Sequence, residues 1–219
     1  MSNIKIIDTH CHLDFKELNT RLDQVIKDAR INNVSDMVTI STNLSRIDSI
    51  KEISEQHKEV FFTVGVHPNE AHKDKQFDDY NFIKNYSSHE KCVGIGEGGL
   101  DYYYNKEYMS LQKKSLEVQI NVARSTNLPM VIHSRDADYD MIKILKSEYK
   151  NGSFKAILHC FSSGEELAHC GLDLDFFISF SGILTFNSAK NIQKIAKSIP
   201  INKILVETDS PYLAPSPVR

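Results

Sequence analysis

Histidine and carboxylate recur in this chain at one kind of place, the end of an apolar run. In "KIIDTHCHLD", residues 5–14, an apolar start gives way to His10 and His12, with Asp8 before them and Asp14 after. Along an extended chain, side chains at i and i+2 leave the same side, so the two imidazoles stand together beyond the strand. His67 follows "VFFTVGV", His133 closes "PMVIH", and His159 falls in "KAILHC". Carboxylates take the same place in two more runs: Glu97 in "CVGIGE", and Glu207 with Asp209 in "KILVETD". A lone strand-end histidine is ordinarily just a hydrogen-bonded residue. Five of the nine histidines at such ends, with carboxylates beside them, point to a metal site. Imidazole with carboxylate suits Zn²⁺, Mn²⁺ or Fe²⁺ better than Ca²⁺, which prefers oxygen ligands. No thiolate cage accompanies them, which favours an open, catalytic site.

Glu97 sits within "GIGEGGLDYYY". Flanking glycines let the backbone turn tightly and bring one carboxylate close to a metal. A carboxylate can bridge two cations, and cation pairs roughly 3.5–4 Å apart hold the attacking and leaving oxygens of an in-line displacement.

The elements that must position these residues follow from the same runs. Strands are predicted at 4–8, 35–41, 60–66, 92–97, 129–133, 155–160, 176–182 and 203–209. The runs are dense in Val, Ile and Phe and do not alternate cleanly, as in parallel strands buried on both faces. Three-and-four spacing of apolar residues predicts helices at 21–31, 46–57, 109–127, 138–149 and 188–199. Eight such alternations, the last without its helix, predict a TIM (β/α)8 barrel occupying residues 1–219 as a single domain. An open doubly wound sheet is the competitor, but it would place a glycine-rich turn where "THCHLD" stands. In a barrel the C-terminal strand ends share one face, so residues a hundred positions apart converge.

Composition narrows the class further. The chain has 219 residues and a net charge of −3, without a block of lysines or arginines. That argues against holding nucleic acid by a broad basic surface, though not against a nucleic-acid substrate. Two divalent cations would add four positive charges at one spot. No run of about 20 apolar residues and no leader pattern is present, so no membrane association is expected. The four cysteines show no framework spacing, which predicts reduced thiols and a cytoplasmic location.

"DTHCHLD", "GVHP", "GEGGLDYY", "IHSRDA", "HCFS" and "ETDSPYLAP" together resemble the successive motifs of the TatD-type metal-dependent deoxyribonucleases, within the amidohydrolase superfamily. The resemblance runs from residue 8 to the C-terminus in the same order. It implies a TIM barrel, one or two divalent ions (Mg²⁺, Mn²⁺ or Zn²⁺) and 3′→5′ exonuclease action on DNA, with single strands preferred. By the same resemblance His10, His12 and Asp209 hold one metal, His133 and His159 the other, and Glu97 bridges them. Asp209 also accepts the proton of the attacking water, with Glu207 as its catalytic neighbour. His67, Asp101 and Arg135 complete the mouth as substrate-binding residues. Two of these have equally plain alternatives: Arg135 a salt bridge to Asp136 or Asp101, and His67 a cap on its strand before Pro68. The tyrosines at 102–104 are placed either to stack bases or to pack the barrel.

Two departures qualify the resemblance. "HCFSSGEE" lacks the glycine usual after the first serine, and the chain stops at Arg219, where the family continues with further helices. Without a helix over the seam between the last and first strands, Ile204 and Val206 are expected on an exposed face. Self-association over that face, or a longer parent chain, is the corresponding expectation. Rival functions are amide or ester hydrolysis, including D-aminoacyl-tRNA deacylation, and a non-catalytic metal-binding barrel. The amide-hydrolysing branch would favour a bridging lysine, and Glu97 stands in its place.

Overall fold

Eight apolar runs become eight strands, each parallel to the next. The computed structural model describes residues 4–218. The strands are β1 (Ile6–Cys11), β2 (Val34–Thr39), β3 (Val60–Val64), β4 (Cys92–Asp101), β5 (Met130–Arg135), β6 (Ala156–Leu158), β7 (Phe177–Phe180) and β8 (Ile204–Val206). They form one sheet in the order β1 to β8. Just past β8 the sheet meets its own beginning. The Asp209 N–H donates to the His10 carbonyl at 2.9 Å, and the His12 N–H donates to the Ser210 carbonyl at 2.8 Å. The result is a nearly closed TIM barrel.

Parallel neighbours need a crossover, and helices supply it. α1 (Lys16–Asn19) and α2 (Leu22–Ile31) link β1 to β2. They are followed in turn by α3 (Ile47–Gln56), α4 (Tyr80–Ser87), α5 (Met109–Thr126), α6 (Asp138–Asn151), α7 (Glu165–Asp173) and α8 (Lys190–Ser198). Buried strand residues such as Phe62, Ile95, Ile132, Leu158 and Ile178 pack with Leu116 and Ile120 of α5, Met141 and Leu145 of α6, and Leu167 of α7. Each such side chain contributes about 1.5–3 kcal/mol by leaving water. A smaller cluster, Cys11, Leu13, Leu18, Ile26, Met37, Ile53 and Val60, seats α1 and α2. α5 stops where Asn127 turns left-handed at φ 58°, a conformation Asn tolerates.

Three helices lie outside the periodicity reading, the single-turn α1 among them. α4 has only eight residues and depends on a cap, the Asp79 side chain accepting from the Phe82 N–H at 2.9 Å. α7 buries Leu167, Ala168, Cys170 and Gly171, a face too small-sided to stand out as an apolar stripe. β4 also runs past its expected end at residue 97. Its pairing with β5 breaks between Ile95 and Gly98, then resumes through Gly99↔His133 to Asp101↔Arg135. Near the seam, Ile6, Ile7 and Val206 are exposed, whereas Ile204 is half-buried against the main core. Exposure was expected of both Ile204 and Val206 and holds only for Val206. Among the described residues no helix is long and apolar enough to cross a membrane.

Candidate metal centre

Glu97 is buried at the barrel mouth with imidazoles on every side. Its Oε1 lies 2.6 Å from His159 Nε2, 3.0 Å from His133 Nδ1 and 3.5 Å from His67 Nε2. Its Oε2 lies 3.4 Å from His10 Nε2. Asp209 Oδ1 stands 3.4 Å from His12 Nε2 and 3.6 Å from His10 Nε2. Three overlapping groups offer ligand atoms within 4.8 Å of one another: His10, Glu97 and His159; His10, His12 and Asp209; His67, Glu97 and His133. Glu97 therefore stands between two sets of donors. The cleft around them has a volume of about 1480 Å³.

Local backbone conformation places the carboxylates. Gly96, at φ +126°, lets β4 break its register just before Glu97, and a Cβ there would come within 2.6 Å of the Val131 carbonyl oxygen. Asp209 is left-handed at φ 58°, which turns its side chain back across the seam toward β1. Asp8 holds this turn in place. Its carboxylate accepts from the Thr208 N–H at 2.9 Å, the Thr208 hydroxyl at 2.7 Å and the His10 N–H at 3.3 Å.

The donors fit a divalent cation. His10 is fully buried, yet neither of its ring nitrogens has a hydrogen-bond partner, and His12 Nδ1 is likewise unpaired. Unpaired buried nitrogens are costly unless something takes their lone pairs. The nitrogen and oxygen set, without thiolate, is of the kind that Zn²⁺ and Mn²⁺ take.

Charge in the cluster is strongly shifted. Burial alone would push the Glu97 carboxyl up, but the imidazoles of His159 and His67 outweigh it and hold it well below the usual range. Burial likewise opposes charge on His159, yet Glu97 and Glu207 lift it well above an ordinary histidine. His133 is raised against burial by Asp101 and Glu97. His67 goes the other way, since burial dominates and lowers it to about 3. Burial works against ionised Asp209 too, but His12 and His10 hold it below the usual range.

Glu207 and Asp101 each stand against a histidine of the cluster. Glu207, expected as a catalytic group, sits behind His159: its Oε1 faces His159 Nδ1 at 3.4 Å and accepts from the Cys160 N–H at 2.7 Å. It orients a histidine and does not face the cleft. Asp101, expected to bind substrate, is buried and committed. It accepts from the Tyr103 and Tyr104 amides and from Asn69 Nδ2, and it faces His133 Nε2 at 3.3 Å. Both carboxylates stand behind ring nitrogens, as second-layer partners of metal-binding histidines do. Arg135, His67 and Asp101 line the cleft, and Glu207 does not. Among the described residues Arg135 forms no salt bridge, and its guanidinium lies 3.9 Å and 4.7 Å from the ring centres of Tyr103 and Tyr104. Tyr102 donates to Asp140 at 2.7 Å and packs against the main core, whereas Tyr103 and Tyr104 are exposed.

Phe15 and Arg46 escaped the motif reading. Phe15 stacks on His12 at 4.6 Å, and Arg46 lies over Phe15 while pairing with Asp14 at 2.9 Å. The pair is 31 residues apart and only the fold joins it; the sole local signal is an aromatic residue directly after "HLD".

A parallel barrel with imidazoles and carboxylates gathered at its mouth defines a metal-dependent hydrolase. The chain belongs to the TatD related DNase family, whose family model matches residues 7–219. It is 37% identical over 214 residues to a Bacillus subtilis protein named as the uncharacterized metal-dependent hydrolase YabD, covering 98% of this chain and 83% of that one. Escherichia coli YJJV, a TatD homolog, superposes with a TM-score of 0.89 at 23% identity, over 97% of this chain and 82% of the other. A TatD family hydrolase from Entamoeba histolytica gives a TM-score of 0.79 at 25% identity, over 95% and 75% of the two chains.

Proposed function

We propose that this hydrolase cleaves phosphodiester bonds of DNA, removing nucleotides from a 3′ end with single strands preferred, in the cytoplasm. The observation that carries this reading is Glu97 between two donor sets, with one carboxylate oxygen toward His159 and His133 and the other toward His10. In this reading His10, His12 and Asp209 hold one divalent ion, His133 and His159 hold a second, and Glu97 touches both; Mg²⁺, Mn²⁺ or Zn²⁺ are the candidates. Such ions supply Lewis acidity toward phosphoryl oxygens and a lower pKa for the attacking water.

The chain's own residues do the rest. Asp209, ionised at neutral pH, takes the proton of the attacking water as its oxygen bonds to phosphorus. The bond from phosphorus to the 3′ oxygen of the preceding nucleotide breaks. That oxygen takes up a proton from solvent and becomes the new 3′ hydroxyl, and a nucleoside 5′-monophosphate is released. Asp101 and Glu207 hold His133 and His159 at fixed angles throughout. Arg135 pairs with a phosphate oxygen, and the exposed rings of Tyr103 and Tyr104 offer faces on which bases stack without sequence preference.

A 5′-labelled single strand tests this. Metal-reconstituted protein should shorten it one nucleotide at a time from the 3′ end, duplex more slowly. A chelator should stop the reaction, and added Mg²⁺ or Mn²⁺ should restore it. Turnover of a carboxyl ester or a D-aminoacyl-tRNA, with the DNA left intact, would replace this reading by the amide or ester one.

A further inference from the structure

Arginine lines the cleft at two places, Arg135 and Arg46, and no lysine accompanies them among the described residues. Arg135 ends β5, two residues after His133. Arg46 belongs to the other rim. It follows β2 and directly precedes α3, next to Phe15 from the turn after β1. The ring of Phe15 in turn meets Tyr212, which comes after β8, at 6.1 Å. β8, β1 and β2 are neighbours around the seam, and in an eight-stranded barrel β1 lies opposite β5. The donors around Glu97 therefore lie between the two arginines.

A single nitrogen holds Arg46 in place. Nη2 pairs with Oδ2 of buried Asp14 at 2.9 Å and donates to the Asp14 carbonyl at 2.8 Å. Among the described residues Nε and Nη1 bond nothing, and the side chain is 46% exposed. Guanidinium presents its N–H groups as a rigid fork, so fixing one nitrogen orients the others. Phe15 sets the spacing from the cluster. Its ring stacks on His12 at 4.6 Å, and the Arg46 guanidinium carbon lies 5.7 Å from the ring centre. Arg46 bonds none of the candidate metal ligands and stands one aromatic ring away from them. That place suits a phosphate next to the reacting one.

Strand polarity decides which neighbour it is. A nucleotide leaving from a 3′ end carries no phosphate beyond the scissile one, so a second anchor can meet only the linkage upstream. We propose that Arg46 is that anchor, pairing through Nε and Nη1 with the phosphodiester one linkage upstream of the scissile bond. The inference deepens the DNA reading and rests on it. Arg135, beside His133, keeps the scissile phosphate, and the strand leaves the cleft over the β1–β2 rim.

Short oligonucleotides test this on the full, metal-loaded chain. A thymidine dinucleotide has only the scissile linkage, whereas a trinucleotide adds the upstream one. Arg46→Ala should lower kcat/KM on the trinucleotide by about 5- to 50-fold, between the worth of an exposed ion pair and of a hydrogen bond to a charged group. On the dinucleotide it should change little. Replacing the upstream phosphate by an uncharged methylphosphonate should cost wild type the same factor and cost Arg46→Ala nothing, closing a double-mutant cycle. The pair Asp14→Asn with Arg46→Gln, which leaves no unpaired buried charge, should behave like Arg46→Ala. Indifference of wild type to the methylphosphonate overturns the proposal, as does equal sensitivity in the variants. If neither oligonucleotide is cleaved, the DNA reading falls and takes the anchor with it; cleavage without charge sensitivity removes the anchor alone.

Discussion

Glu97→Ala should lower hydrolysis by roughly 10³-fold or more, beyond the loss typical of removing a single charge-stabilising donor. Four imidazoles converge on this one carboxylate, and it belongs to two of the three candidate donor groups. Truncation removes the carboxylate that, on the two-ion proposal, would be shared between the ions, and leaves His159 and His133 without the partner facing their inner nitrogens. The core does not depend on it, because Phe62, Ile95, Leu116, Ile120 and their neighbours pack without reference to the mouth. Circular dichroism and a cooperative thermal transition should therefore persist while metal binding weakens sharply. A variant keeping more than a tenth of wild-type turnover would show that Glu97 is not shared between two ions.

Asp209→Asn should reduce kcat by about 10²–10⁴-fold, the usual contribution of a positioned acid or base, with a much smaller change in KM. Asparagine is the informative substitution here for a backbone reason. Residue 209 is left-handed at φ 58°, a region asparagine tolerates and most other residues avoid, so the loop should keep its shape. What changes is the oxygen facing His12 and His10, which loses its charge and its ability to take a proton. Steady-state kinetics on DNA, with metal content checked alongside, separates the two roles. Normal metal content with near-normal kcat would leave Asp209 as a ligand only.

Much of this arrangement is legible in the chain because parallel strands impose direction. A run such as "VFFTVGV" predicts a strand at 60–66, and β3 occupies Val60–Val64. Once the strands are known to be parallel, His10, His67, His133 and His159 must share an end, and the structure brings them together around Glu97. What is not legible is which way a carboxylate faces once its strand twists or bulges. Asp101 and Glu207 look as available in sequence as Asp209, yet the first two stand behind histidines because β4 resumes after its glycine break and residue 207 follows β8 directly. The left-handed turn at Asp209 brings its carboxylate into the cleft, which Asp101 also lines although its oxygens are taken up by Tyr103, Tyr104 and Asn69. α4 and α7 escaped for a different reason, being held by a cap and by small side chains where periodicity looks for large apolar ones.

Anomalous diffraction from crystals of Mn²⁺-loaded protein tests the central claim most directly. Two peaks are predicted, one bounded by His10, His12 and Asp209, the other by His133 and His159, with Glu97 touching both. A single peak at saturating Mn²⁺, or none within reach of Glu97, would contradict the two-metal account.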